Sequence, residues 1–244
     1  MLMLRKRAED VENGISIKEV HSLKNNKVTT DNSLARAYYT YTLNEKQIMA
    51  SIISKINSTN ESYNSDHGIY ISFDSFQVTY QFASLKNAKR AMLTGLQGLY
   101  DKDIKNLEGF SKGNHARLIT SHFDNLADGV RFFLNIDLLP YLQGLKQRFT
   151  SYQLKETCNF ESSYTWRLYE LLLSWISNGD GHKKLHIEEL QKTLGIPESY
   201  TRSNINKVIK KGVDEINSKS DLTVEYDTHK ESRRISGYHF FMYV

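Results

Sequence analysis

Proline and cysteine are nearly absent from this chain, which has two of the first, Pro140 and Pro197, and one of the second, Cys158. A lone cysteine forms no intramolecular disulfide and no cysteine-based zinc site, so Cys158 is expected to pack as a small apolar side chain. With so few prolines and no long low-complexity tract, the body of the chain should be ordered. No apolar run approaches the ~20 residues that cross a bilayer. The start, MLMLRKRAEDVE, has no apolar stretch of signal-peptide length behind its basic residues, so a cytoplasmic location and no membrane partner are expected. A glycine-rich phosphate loop is also missing, which removes sequence support for ATP hydrolysis. A rolling-circle nickase needs a His-x-His metal pair and a nucleophilic tyrosine. The chain has no such pair; His182 and His186 are four apart around a turn and short strand, and the 15 tyrosines read as core and wing residues. No catalytic residue, metal ligand or cofactor is assigned.

Charge is present but evenly spread, with 17 cations against 15 acids up to Leu145 and 15 against 13 beyond it. One segment departs from this balance. Thr201 to Lys211 carries Arg202, Lys207, Lys210 and Lys211 with no acid, a net charge of +4 that equals the formal charge of the whole 244-residue protein. The segment has helical periodicity: Ile205, Val208, Ile209, Val213 and Ile216 fall on one stripe, and Ser203, Lys207, Lys210 and Asp214 fall opposite. By itself this pattern also suits an ordinary solvated lysine face.

Its surroundings favour a nucleic-acid reader. Upstream, Ile187 to Leu194 is a shorter amphipathic helix ended by Gly195, and Ile196 to Ser199 form a turn, so the pair is a helix-turn-helix. Downstream, Leu222, Val224 and Tyr226 alternate with polar residues, and Ile235, Tyr238, Phe240 and Met242 resume the alternation, giving two strands around a tip at Asp227 to Arg234. That hairpin wing carries Lys230, Arg233 and Arg234. A helix-turn-helix followed by a basic hairpin is a winged helix, whose second helix enters the major groove of double-stranded DNA. Thr201, Arg202, Ser203, Asn204 and Asn206, nearest the helix start, are the candidates for base readout; Lys207, Lys210 and Lys211, with the wing cations, are candidates for phosphate or guanine contacts.

The same order of elements occurs earlier in the chain. Leu43 to Ile56 matches the long amphipathic helix Ser162 to Ile176, whose Trp166, Leu168, Leu171, Leu172 and Trp175 form a core-facing stripe. Ile69 to Ser72 is a short strand, Phe73 to Phe82 and Ser84 to Tyr100 are two helices, and strands follow around Arg117 to Phe123 and Gly129 to Ile136. The fold class is thus α+β with tandem winged-helix domains. A flexible arm is expected over residues 1–31, an N-terminal winged helix over 32–145 and a C-terminal one over 146–244. In the first copy's second helix, Leu85, Ala88, Met92, Leu96 and Leu99 make the predicted buried stripe. Asn87, Lys89 and Arg90 are its candidate DNA contacts, but Asp124 and Asp128 at its wing would repel a backbone. The C-terminal copy is therefore expected to supply most DNA contacts. Arg167 faces either solvent or the junction between copies, Glu170 can pair with it at helical spacing, and Lys146 and Arg148 at the junction are further candidates for backbone contact.

NSLARAYYTYTLNEKQIMASIISKI, LLPYLQGLKQRFTSYQL, SSYTWRLYELL and KVIKKGVDEIN, in this order and spacing, resemble the iteron-binding plasmid replication initiators of the initiator Rep superfamily, from about Asn32 onward. Where that family often has two arginines in the middle of the second recognition helix, this chain has Asn206 and Lys207. The resemblance implies a protein that binds direct repeats (iterons) at a plasmid origin as a monomer. It also implies a homodimer, formed through the N-terminal winged helix, that represses its own promoter at an operator inverted repeat. Opening of the origin and recruitment of the host initiator, helicase and primase are implied in the same way. The competing readings are a tandem winged-helix transcriptional regulator without initiation activity and a protein-interaction module that does not bind DNA.

Overall fold

Hydroxyl side chains set most of the helix starts. In this computed structural model, which describes residues 20–59, 63–110, 115–231 and 234–244, helix α1 is Asn32–Arg36. Thr42, Ser72, Ser84, Ser162 and Thr201 each accept a backbone N–H at the start of α2 (Leu43–Ile53), α3 (Phe73–Tyr80), α4 (Leu85–Asp101), α5 (Ser163–Ile176) and α7 (Arg202–Lys219). At α2 the cap is a full capping box, since Glu45 reaches back to the Thr42 N–H. Helix α6 (Ile187–Leu194) has no side-chain cap and carries Glu188 and Glu189 in its first turn, where the helix dipole favours acids.

Two units share one topology. In the first, β2 (Ile69–Ser72) leads into α3 and α4, and β5 (Ile119–Leu126) and β6 (Gly129–Leu134) form the hairpin of a sheet ordered β2-β6-β5. In the second, β8 (His182–His186) leads into α6 and α7, and β9 (Thr223–Glu231) and β10 (Arg234–Tyr243) complete a sheet ordered β8-β10-β9. Each entry strand pairs antiparallel with the last strand of its hairpin. One residue shift carries α3 onto α6 and Gln81 onto Gly195, and both C-cap residues are left-handed, with φ of 57° and 68°. Only glycine adopts that conformation without strain. Behind each second helix lies a long support, α2 against α4 and α5 against α7.

Several elements were not visible in the periodicity. Strand β1 (Lys27–Asp31) pairs antiparallel with β7 (Phe149–Gln153), so the last part of the expected arm is a strand; residues 1–19 lie outside the described ones. This ribbon crosses the division placed between residues 145 and 146. Strands β3 (Ile104–Lys105) and β4 (His115–Ala116) form a second small sheet after α4. The C-terminal hairpin is longer than predicted, because Asp227 to Glu231 continue β9 and a bulge near Ser236 keeps the ladder in register beyond it. Leu85, placed on the buried stripe of α4, is 43% exposed: as the first helical residue it extends past the support beneath the helix.

The units share one hydrophobic cluster and, within it, buried charge. Lys46 of α2 donates to Glu170 of α5 at 2.7 Å, and both side chains are almost fully buried. Arg167 is also buried rather than facing solvent, and donates to the Tyr39 hydroxyl at 2.5 Å, the Ala37 carbonyl at 2.6 Å and the Thr193 carbonyl at 2.8 Å. Its distance to Glu170 is 3.9 Å, so Lys46 and not Arg167 is the close partner of that carboxylate. The second carboxylate oxygen accepts from the Tyr152 hydroxyl at 2.7 Å, and that hydroxyl accepts from Trp166 Nε1 at 2.9 Å. The predicted stripe on α5, Trp166, Leu168, Leu171, Leu172 and Trp175, is buried around this network, as is Cys158.

Removing one member of a buried ion pair strands the other's charge, so Glu170→Ala should lower stability by about 3–5 kcal/mol, read as a fall in the urea midpoint. Glu170→Gln should lose less, because it keeps an acceptor for Lys46. Burial also raises the hydroxyl pKa of Tyr41, Tyr80, Tyr152 and Tyr169 well above the ordinary phenol value and pushes that of Tyr238 up to about 12. A pKa raised by folding leaves stability intact below the unfolded value of about 10 and removes it as pH climbs through the folded value. The tyrosinate absorbance contributed by these five buried side chains should therefore rise together with the loss of helical circular dichroism above about pH 10.

Candidate nucleic-acid interface

Helix α7 divides into the two faces its periodicity predicts. Ile205, Ile209, Val213 and Ile216 are buried, Val208 is half-buried, and Thr201, Arg202, Ser203, Asn204, Lys207, Lys210 and Lys211 are exposed. Gly212 lies where the helix crosses α5; a Cβ there would sit 3.2 Å from Leu168 Cδ2. The apolar side is held at close range while the basic side is left to solvent. Among the described residues, Lys207 and Lys210 have no ion-pair or hydrogen-bond partner. Two uncompensated cations one turn apart form a fixed positive surface.

The start of α7 meets the base of the wing. Thr201, Arg202, Ser203, Asn206, Arg234 and Ile235 line an open cleft of about 600 Å³. Arg202 donates to the Ile235 carbonyl and to Glu188 Oε1 at 3.2 Å, so it ties α6, α7 and the wing together as well as adding charge. Tyr238, a buried residue of β10, donates its hydroxyl to Asn206 Oδ1 at 3.3 Å. With Oδ1 accepting from Tyr238, the Asn206 NH₂ keeps its donors free of internal acceptors among the described residues. Thr201 has its side-chain oxygen engaged as the cap, accepting from the Asn204 N–H at 3.2 Å. Ser203 and Asn204 keep their side chains free of internal hydrogen bonds among the described residues.

Lys211 is placed differently from its neighbours, turned to Glu161 at 3.8 Å, beside the Lys219–Glu161 and Lys219–Glu215 pairs at 2.9 Å. The two lysines hold the Glu161 carboxyl below its usual range, Lys219 contributing most through its hydrogen bond. On the wing, Lys230 and Arg234 are exposed near the tip, in register with Ile235 and Glu231 respectively; Arg233 lies outside the described residues. Tyr238 and Glu188, which orient Asn206 and Arg202, were missed in the sequence because their roles depend on a strand and a helix meeting through space.

In the first unit, aligning the caps Ser84 and Thr201 places Gly95 on Gly212, Asn87 on Asn204 and Arg90 on Lys207. Arg202, Lys210 and Lys211 then have Leu85, Leu93 and Thr94 as counterparts. Asn87 is half-buried and accepts from Arg90 at 3.3 Å, while Lys89 lies over the Phe73 ring, 5.2 Å from its centroid. Asp128, predicted to repel a phosphate backbone, accepts from the Tyr70 hydroxyl at 2.6 Å. At the junction, Arg148 reaches Glu108 at 3.4 Å, and Lys146 is exposed.

Known families match this arrangement unit by unit. The description "Initiator Replication protein, WH1" matches residues 27–173, and "Initiator Rep protein, WH2" matches residues 186–242. The chain belongs to the initiator replication protein family. Its two winged helices are the WH1 and WH2 domains of that family, and the first match takes in most of α5 as well as the ribbon strands. A protein of Escherichia coli named "Replication initiation protein" is 22% identical in a match of 208 residues that covers 80% of this chain and 63% of that relative's length. Among solved structures, that of the Pi initiator protein in complex with iteron DNA has the same fold, with a TM-score of 0.72 and 18% identity over 90% of this chain and 98% of that one. Among the described residues, no helix of this initiator family member is long and apolar enough to cross a membrane.

The two crossing glycines differ in tolerance. A Cβ at Gly95 would fall 2.8 Å from Ile48 Cδ1 and 3.2 Å from the backbone of Asn44 and Glu45, whereas at Gly212 the nearest atom is a leucine methyl at 3.2 Å. Gly95→Ala should cost about 1–3 kcal/mol through overpacking. Gly212→Ala should leave stability within about 1 kcal/mol, because the gain in helix propensity offsets a small shift of Leu168. Paired denaturation curves will separate the two.

Proposed function

We propose that this initiator starts plasmid replication by binding direct repeats at the origin as a monomer, with WH2 as its principal reader and WH1 as a weaker one. The observation that carries the reading is the exposed, unpaired Lys207 and Lys210 on α7, contiguous with the cleft shared by Ser203, Asn206 and Arg234. Neither cation is spent on an internal partner among the described residues, so both are available to displace the counterions of a polyanion. In this reading Thr201, Arg202, Ser203, Asn204 and Asn206 meet base edges, and Lys207, Lys210, Lys211, Lys230 and Arg234 meet phosphates. Asn87, Lys89 and Arg90 make the secondary contacts of WH1. The complex formed by the Pi initiator protein with iteron DNA and the name of the Escherichia coli relative support the same reading.

The wider cycle is part of this proposal. A dimer formed through WH1 represses the protein's own promoter at an inverted repeat, while bound monomers open adjacent AT-rich DNA and recruit the host initiator, helicase and primase. The chain works by binding, without a catalytic group, metal or cofactor of its own.

Stepwise gel shifts on tandem direct repeats, one step for each repeat filled, with strand opening beside them, are the expected result. Binding solely as a dimer to an inverted repeat would instead make the protein a transcriptional regulator. Because roughly 6 to 10 phosphate contacts give a loss of about 10³ to 10⁵ in affinity between 50 and 200 mM salt, binding should weaken steeply with salt. Lys207→Ala or Lys210→Ala should each reduce the slope of log affinity against log salt by about one. An unchanged slope would remove those lysines from the interface.

A further inference from the structure

We propose that Leu85 is a base-reading residue of WH1 and that the group it reads is the 5-methyl of thymine. This rests on the DNA-binding function proposed above. Leu85 is the first residue of α4 and is 43% exposed, although it belongs to the most apolar class of side chain. Exposed leucines are common and by themselves mean little. This one occupies a particular place. With the caps aligned it takes the position of Arg202, the residue that joins the cleft at the start of α7. That is the end of a recognition helix which meets base edges.

Lys86 and Lys89, next in the chain to Leu85 and one turn on from it, are exposed, with Arg90 exposed further round α4, so the apolar side chain stands in a cationic setting. A protein partner with an apolar surface would have to desolvate those charges, while a phosphate backbone on either side of a groove would pair with them. Within the major groove, the one apolar group that a base edge offers is the thymine methyl. Leu85 therefore supplies base preference where WH1 lacks the cation that WH2 has. The first turn of α7 reads with polar groups and charge, and the first turn of α4 reads with an apolar one.

The test separates the methyl from everything else in the duplex. A site is selected from a random-sequence pool with the full-length protein at low salt, and each thymine in the part that WH1 protects is replaced singly by deoxyuridine. One replacement should weaken wild-type binding about fourfold, the equivalent of one buried methyl. Leu85→Ala should bind the parent duplex about fourfold more weakly and show no further loss on that uracil duplex, with its thermal melting unchanged. If every uracil duplex binds like its parent, or if Leu85→Ala loses as much as wild type on replacement, the inference is overturned. It is also overturned if the only effect of Leu85→Ala is on self-association in sedimentation, since that would assign the leucine to a protein contact. Failure to select any sequence at all would overturn the DNA-binding function and this inference with it, whereas the outcomes above overturn the inference alone.

Discussion

Lys46 on α2 and Glu170 on α5 meet at 2.7 Å in a place that water does not reach, and Arg167 beside them has its donors taken by Tyr39, Ala37 and Thr193. Ions withdrawn from water are tolerated only when their partners are complete and well placed. The groups of this network come from five parts of the chain: α2, the segment after α1, β7, α5 and the end of α6. A hydrophobic contact between two helices could slide by half a residue and lose little. A buried charge set of this kind does not slide, because every displacement leaves an ion unpaired. The supports of the two recognition helices are thereby held in one register.

The glycines extend that constraint outward. Gly95 lets α4 settle onto α2 beside Ile48, and Gly212 lets α7 settle onto α5 beside Leu168. Since α2 and α5 are linked through Lys46 and Glu170, the two exposed faces inherit their placement from the buried ions. The basic face of α7 then needs little rigidity of its own. Its start is fixed by Arg202 bridging α6 and the wing, and Asn206 beside it is oriented by Tyr238.

Much of this architecture was legible in the sequence for local reasons. Helical stripes, the stop at Gly195 and alternation located α3, α4, α6 and α7 to within about two residues, and the repeated order exposed the tandem design. The exposed side of α7 could be read because charge on a helix is a local pattern. What escaped has no local signature. The β1–β7 ribbon pairs segments far apart in the chain, and its residues KVTTD and FTSYQ alternate too weakly to announce a strand. Arg167 and Lys46 look like surface cations in any helical projection; only the meeting of α2 with α5 makes them buried. Leu85 failed in the opposite sense, because periodicity assigns a face to a residue but does not say where the support underneath ends.

The β1–β7 ribbon bears on how the two winged helices move as a pair. A single connecting strand acts as a swivel, free to turn about its bonds. Here the crossing from one unit to the other is doubled, with Thr29 and Ser151 joined across it at 2.8 Å and Asn32 bonded to both Thr150 and Ser177. Two hydrogen-bonded strands side by side resist torsion far more than one, while still allowing some flexing out of their plane. Together with the shared core and the Lys46–Glu170 pair, the doubled ribbon sets the two second helices at one rotational phase relative to each other.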